Sequence, residues 1–136
     1  MGTWGPGVFE NDTACDWFEC LERDRNLQII EYALGAVLSR RTLNIRADDA
    51  EKALAACEVI ACVQGDSGER SVHAAKLESW VASHKPEVSP RLARMAVAAI
   101  GFILSEPSGI YNTWYSDDDF VAWKSNVEKL RDRIRI

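Results

Sequence analysis

The sequence carries none of the common catalytic motifs. Histidine occurs only twice in 136 residues, and we find no Ser-His-Asp set, no Walker loop and no His-Glu-x-x-His motif. His73 and His84 each have one glutamate nearby and no third ligand, so we assign both to surface or satisfied core positions. These absences favour a binding protein over an enzyme, and we expect no cofactor and no bound metal.

Long apolar segments are also missing. The longest nearly uncharged run, residues 95–104, is too short and too rich in Ala to cross a bilayer. No secretory signal is visible, and Pro6 stands where an N-myristoylation signal requires Ser or Thr. We therefore expect a cytoplasmic protein that does not bind membranes.

The four cysteines do not have the spacing of a zinc site. They form two Cys-x4-Cys pairs, Cys15 with Cys20 and Cys57 with Cys62, whereas zinc knuckles use Cys-x2-Cys. Both pairs fall in predicted helices, where residues five apart point in different directions and cannot be bridged. We expect four reduced thiols, as is usual for an intracellular protein.

The net charge of −5 is unevenly distributed along the chain. Residues 1–26 and 106–120 are strongly acidic, residues 27–105 are balanced, and residues 121–136 are basic. A nucleic-acid-binding protein usually shows a basic stripe interleaved with aromatic residues, which is absent outside the last helix. The acidic segments favour a basic protein as partner and argue against nucleic acid.

Hydrophobic periodicity predicts an all-α fold. The length fits a single domain over residues 1–136, which we expect to be a compact bundle of five to six helices. The first predicted helix begins near residue 12. Four more cover residues 27–39, 50–63, 72–83 and 92–104, and a last one begins at residue 116. Residues 50–63 and 92–104 carry so few charges that we expect them to form a central buried pair.

Glu58 stands out because it is the only charged residue between Ala53 and Val63. A buried carboxylate must find hydrogen-bond donors or stay protonated. The N-terminal loop contains Gly5 and Gly7, and a glycine-rich run exposes N–H groups that can cradle an anion. We therefore predict that the loop from Trp4 to Phe9 donates hydrogen bonds to Glu58, which would have a structural role.

The helix after this loop has a clear start and a clear apolar face. Asn11 or Asp12 is the expected cap. The apolar residues occupy positions i, i+3, i+4 and i+7 of the helix, namely Ala14, Trp17, Phe18 and Leu21.

These residues carry a resemblance to a known family. The opening Trp4-Gly5-x-Gly7-x-Phe9-x-Asn11-Asp12-x-Ala14, the Ala-rich helix around Glu58, and Ser105-Glu106 at the end of another helix resemble the bacterial family named domain of unknown function 4259. The resemblance covers nearly the whole chain. It implies a small cytoplasmic domain and supplies no activity.

The segment from residue 111 to residue 119 is the candidate partner-binding region. It places the aromatic residues Tyr111, Trp114 and Tyr115 in a polar loop, followed by Asp117, Asp118 and Asp119. One interpretation is structural: Ser116 caps the last helix, and the three acids complement its dipole. The other is a binding surface, because exposed Tyr and Trp beside acids suit an Arg-rich partner.

Two functional hypotheses follow. The first is a protein-binding module, for example an inhibitor of the immunity or antitoxin type, that covers a basic partner with an acidic surface. Self-association into a homodimer is a related option. The alternative is an all-α metal-dependent nucleotide hydrolase. In that case Glu19 and Glu22 would supply half of a Mg²⁺ site, although no matching Glu-x-x-Asp pair completes it.

Overall fold

The chain folds into α-helices joined by short connections. The computed structural model describes residues 5–24, 27–40, 45–65, 72–105, 109–115 and 117–136. These residues form seven helices: α1 (Asp12–Asp24), α2 (Gln28–Leu38), α3 (Ala47–Val63), α4 (Val72–His84), α5 (Pro90–Ile103), α6 (Gly109–Tyr115) and α7 (Phe120–Arg133). No strand occurs in the part of the chain described here. The prediction of an all-α bundle is confirmed.

The central element is α3, as its composition predicts. It packs against each of the other six helices. Residues around its whole circumference are buried, including Ala53, Ala56, Val59 and Ile60. Small side chains on every face allow several helices to approach the same axis, so α3 has the role that a buried, uncharged helix should have.

The second buried helix is α5, which packs against α2, α3 and α7. Its inward residues include Ala96 and Ile100, and the Cys57 thiol of α3 donates to the Ala96 carbonyl oxygen at 3.7 Å. Ala98, which we expected at the contact between the two helices, is exposed. The buried face of α5 instead follows the spacing of three and four residues set by Ala93, Ala96 and Ile100.

Two of the predicted helix starts are confirmed by their caps. The side chain of Asn11 accepts from the Ala14 N–H at 2.7 Å and donates to the Val8 carbonyl at 3.1 Å, so Asn11, and not Asp12, caps α1. The hydroxyl of Ser89 accepts from the Leu92 N–H at 3.1 Å, with Pro90 in the first turn of α5.

Other helix boundaries differ from the predictions. The helix α3 begins at Ala47, before the predicted start at residue 50, and its cap Arg46 makes no side-chain hydrogen bond. Asp48 and Glu51 have the spacing of a capping box but do not form one, because both lie inside the helix. Leu27, the first residue of the predicted helix 27–39, precedes α2 and is exposed. Residues 109–115, expected as a loop, form α6, because packing of their apolar side chains against α3 and α7 outweighs weak helix propensity.

The last helix docks onto the core. Trp123, Val127 and Leu130 of α7 are buried, and α7 packs against α3, α5 and α6. Across the described residues, no helix is both long enough and apolar enough to cross a membrane.

Candidate functional site

The junction between α6 and α7 is built on a cluster of aromatic rings. Trp114 and Trp123 stack with their ring centroids 6.1 Å apart, and Phe120 makes edge contacts with Tyr111 at 5.3 Å and Tyr115 at 5.5 Å. Aromatic pairs in these geometries add to the stability gained from area burial. The cluster gives the junction a rigid base.

The predicted partner-binding residues divide into a buried and an exposed group. Trp114 is only 8% exposed and belongs to the core. Its predicted role as an exposed contact residue is therefore wrong, because a buried indole is not available to a partner. Tyr111 is half-buried, whereas Tyr115 is 65% exposed and Asp117, Asp118 and Asp119 are all exposed.

Sequence analysis missed one residue of this surface, Val121. It is 76% exposed in the first turn of α7, beside the three aspartates. Val121 lies two positions before the buried Trp123, and residues two apart point to nearly opposite sides of a helix. This spacing could have identified Val121 as exposed. We call the surface formed by Tyr115, Asp117, Asp118, Asp119 and Val121 the acidic tip.

Two hydrogen bonds donated by backbone N–H groups fix the shape of the acidic tip. The Asp117 N–H donates to the Trp114 carbonyl at 2.9 Å, and the Asp117 carboxylate accepts from the Asp119 N–H at 2.8 Å. Asp119 is the cap of α7 without a side-chain hydrogen bond. The three acids thus precede the helix and do not lie in its first turn; Ser116, the predicted cap, is outside the described residues.

The carboxylates of Asp118 and Asp119 have no salt bridge within the described part of the chain. Both lie in an exposed segment with no base between residues 109 and 123. Their charges are therefore available to a cationic group from outside the chain.

A second carboxylate environment surrounds Glu10 in the N-terminal loop. Its side chain accepts from the Gly7 N–H at 2.9 Å. A Cβ atom placed on Gly5 or Gly7 would come within 2.6 Å or 2.5 Å of the Glu10 carboxylate oxygens, so both positions need glycine for this close approach. The loop does bind an anion, but the anion is Glu10 and not Glu58.

The same loop contacts the C-terminal helix, because the Asn126 side chain donates to the Pro6 carbonyl at 3.2 Å. Phe9 is buried and meets Phe18 edge-on at 5.9 Å. These contacts fasten the loop to the core. Trp4, the first residue of the predicted motif, lies outside the described residues.

Glu58 has a partner from the opposite end of the chain. The guanidinium of Arg133 in α7 binds it through two hydrogen bonds, Nη1 to Oε2 at 3.0 Å and Nη2 to Oε1 at 2.5 Å. The Arg133 side chain is only 18% exposed and the Glu58 side chain only 13%. The prediction that the N-terminal loop supplies the donors is therefore wrong, because a planar guanidinium satisfies both carboxylate oxygens at once.

A neighbouring contact, missed by the sequence analysis, holds the end of the chain on α3. The Gln64 side-chain amide donates to the Arg135 carbonyl at 2.6 Å and accepts from the Arg135 N–H at 2.7 Å. The Arg135 guanidinium also donates to the Gln64 carbonyl. Nothing in the local sequence indicates this pairing, because the two residues are 71 positions apart.

All four cysteines are free, as we predict. Burial raises the pKa of the Cys57 thiol, and the charge of Glu58 adds to the rise. Burial, with smaller contributions from Glu78 and Glu58 and an opposing effect of Arg133, raises the pKa of Cys62 to about 11. Both thiols therefore remain protonated near neutral pH and are poor nucleophiles.

The carboxylates proposed for a metal-dependent hydrolase do not come together. In the described residues, no three His, Cys, Asp or Glu side chains form a group that could hold a metal ion. Glu19 and Glu22 are exposed on α1. The second half of such a site would have to come from Glu58, Glu106 or Asp117 to Asp119, and Glu58 is already paired with Arg133. Glu106 lies outside the described residues.

The fold therefore defines a small all-α bundle. A family described as domain of unknown function (DUF4259) matches residues 2–126. The chain belongs to this family, which confirms the resemblance seen in the sequence. No curated protein and no solved structure matches the chain.

Proposed function

We propose that this protein is a protein-binding module that holds a basic partner protein on its acidic tip. The observation that carries the proposal is the composition of the tip: three exposed aspartates beside an exposed tyrosine and an exposed valine. Tyrosine is enriched in binding hot spots, and the aspartates offer complementary charge to Lys or Arg. The buried, stacked rings of Trp114 and Trp123 support the tip without becoming part of the contact.

Asp118 and Asp119, which have no cationic partner among the described residues, would gain energy from a basic partner. Asp118 and Asp119 repel each other and Asp117 in the free protein, and a cation from a partner removes that repulsion. Tyr115 and Val121 contribute apolar area that a partner can bury, at roughly 25 cal/mol per Å². A basic surface with an apolar centre would thus gain from both terms.

The specific form that we propose is an inhibitor of the immunity or antitoxin type, which blocks a basic partner by covering it. The chain is small and has a net charge of −5. We also propose a cytoplasmic location, because four free thiols suit a reducing compartment.

The test is capture of partners from the native host by the tagged protein, followed by binding measurements with each purified partner. The variant is Tyr115→Ala with Asp118→Lys. We expect one stoichiometric basic protein, bound at least about tenfold more weakly by the variant, since the variant removes a hot-spot side chain and juxtaposes like charges. Rising salt should weaken the wild-type complex, because exposed charges are screened.

The matched control is Tyr32→Ala with Glu87→Lys. Tyr32 is 75% exposed on α2 and Glu87 is exposed before α5, so this pair makes the same chemical change away from the tip. Equal binding by the tip variant and the wild type would refute the assignment of the tip.

Self-association is tested on the same samples by sedimentation over a concentration range. A dimer that the tip variant abolishes would show that the tip pairs two copies of this chain, and would replace the basic partner in the proposal.

A further inference from the structure

An open groove of about 490 Å³ is lined by one residue of α1 and by one face of α4, and includes no residue of the acidic tip. Its walls and floor include Glu22 from α1 and, from α4, Lys76, Ser79, Trp80, Ser83 and His84. The α4 residues are spaced by three or four positions and therefore lie on one face of the helix. The volume is within the range of small-molecule sites.

The groove contains two opposite charges that do not neutralise each other. Neither Glu22 nor Lys76 forms a salt bridge within the described residues. Lys76 lies near α1, because its positive charge opposes the rise that burial causes in the pKa of Cys15. A ligand in this groove would thus meet a carboxylate from one helix and an ammonium from the other.

The aromatic floor has a defined arrangement of donors. The Trp80 and His84 rings stack with centroids 4.9 Å apart, and His84 Nδ1 lies 2.9 Å from the Trp80 carbonyl oxygen. Because a carbonyl only accepts, Nδ1 carries the proton, which leaves Nε2 of a neutral His84 as an acceptor.

Trp80 has one unsatisfied group. The residue is 5% exposed, and its indole N–H has no acceptor among the described residues. Buried donors are normally satisfied by protein or water, so this N–H is an exception next to the groove. The N–H itself is enclosed, and a ligand in the groove would contact the ring of Trp80.

We propose that this groove binds a small zwitterion, a molecule with one ammonium and one carboxylate group such as a free α-amino acid. The ammonium would pair with Glu22. The carboxylate would pair with Lys76 and accept from the hydroxyls of Ser79 and Ser83, while the apolar part of the ligand rests on the Trp80 and His84 rings. A simple anion would be repelled by Glu22, and a simple cation by Lys76.

Three probes that share one aromatic ring test this charge requirement. L-phenylalanine has both charges, N-acetyl-L-phenylalanine lacks the ammonium, and phenethylamine lacks the carboxylate. The readout is the indole N–H region of an ¹⁵N-correlated NMR spectrum, where the five tryptophans give five signals. The Trp80 signal is identified by its loss in Trp80→Phe.

We expect L-phenylalanine to shift the Trp80 signal and to bind at least about tenfold more tightly than either of the other two probes. Each of those two lacks one charge-assisted contact. Glu22→Gln should abolish the preference over N-acetyl-L-phenylalanine, and Lys76→Met should abolish the preference over phenethylamine. Glu87→Gln, which changes an exposed acid outside the groove, should alter neither preference.

Two results would overturn the proposal: an unchanged Trp80 signal at millimolar L-phenylalanine, or equal shifts from all three probes. Equal shifts would mean non-specific contact of an aromatic ring. The outcome is independent of the acidic tip, since Glu22 and Lys76 lie on other helices and the partner assay uses different variants.

Discussion

Glu58 and the aspartates of the acidic tip have opposite relations to the rest of the chain. Glu58 lies in the core, and both of its oxygens accept from Arg133, which is 75 positions away. Asp118 and Asp119 are exposed and have no cationic partner within the described chain. A carboxylate that the fold has already paired serves stability, whereas an unpaired carboxylate can serve recognition.

Glu10 is intermediate between these two cases. It is exposed, yet its Oε1 accepts from the Gly7 N–H and its carboxylate lies close to Gly5 and Gly7. Nearby backbone supplies this hydrogen bond. The three acids thus differ in the origin of their donors: a distant side chain for Glu58, nearby backbone for Glu10, and no cationic partner among the described residues for Asp118 or Asp119.

The largest effect should come from the buried side of the tip. Trp114→Ala removes a core indole and should lower the free energy of unfolding by about 3–5 kcal/mol. Tyr115→Ala, one position later and 65% exposed, loses a ring contact with Phe120 and should cost only about 1 kcal/mol. Urea unfolding of both variants makes the measurement, and similar losses would show that the boundary between base and contact surface is misplaced.

Breaking the buried ion pair should have the next largest effect. Arg133→Ala removes the guanidinium that pairs with Glu58 and should lower the free energy of unfolding by about 3 kcal/mol. The control is Arg91→Ala, which removes an exposed pair with Glu31 at 2.6 Å, where the side chains are 67% and 43% exposed; it should cost at most about 1 kcal/mol. Equal costs in thermal or urea unfolding would show that burial does not distinguish the two pairs.

Alkaline pH should destabilise the region around Glu58 through the thiols. The pKa of Cys62 is about 11 in the folded protein, against about 9 for an unperturbed thiol. Between these values the unfolded chain releases the proton while the native protein retains it, so stability present below pH 9 is lost as pH rises towards 11, by roughly 2 kcal/mol. Cys62→Ala should reduce the loss of unfolding free energy over this range, measured with urea, and Cys57, whose pKa is also raised, accounts for part of the loss that remains. An unchanged slope would exclude Cys62 as a contributor.

The smallest effect concerns Glu10 and its loop. Gly7→Ala places a methyl group against the Glu10 carboxylate and should displace it, at a cost of about 1 kcal/mol for the lost hydrogen bond. Gly101→Ala is the control, because a Cβ there meets nothing within 4 Å in α5. It should stabilise the protein by roughly 0.5–1 kcal/mol through better helix propensity. Stabilisation by both variants would mean that the loop does not hold Glu10.

Sequence patterns predicted the features that depend on neighbouring residues. Spacing identified the buried face of α1, from Ala14 to Leu21, and composition identified α3 as the centre. The Ser89-Pro90 start of α5 followed from cap chemistry. Each of these signals acts within one or two helical turns, which is why the all-α fold could be predicted. The single domain over residues 1–136 stays a prediction.

The candidate sites were less predictable, because burial of one residue depends on what packs against it. Trp114 and Tyr115 are adjacent aromatic residues. Only the contact of Trp114 with Trp123 shows that Trp114 is the buried one. Val121 was missed for the same reason. The groove between α1 and α4 joins Glu22 and Lys76, whose separation in sequence gives no sign that they share a site.

The sequence by itself determined that this protein is a bundle of helices around an Ala-rich centre, and that it carries two acidic segments. The tertiary structure alone decided which acids are satisfied. Donors for Glu58 come from α7 because helix packing brings Arg133 beside α3, and the chain end is fixed by Gln64 in the same way. Helix periodicity is set by local backbone geometry, whereas these pairings arise only when distant helices meet.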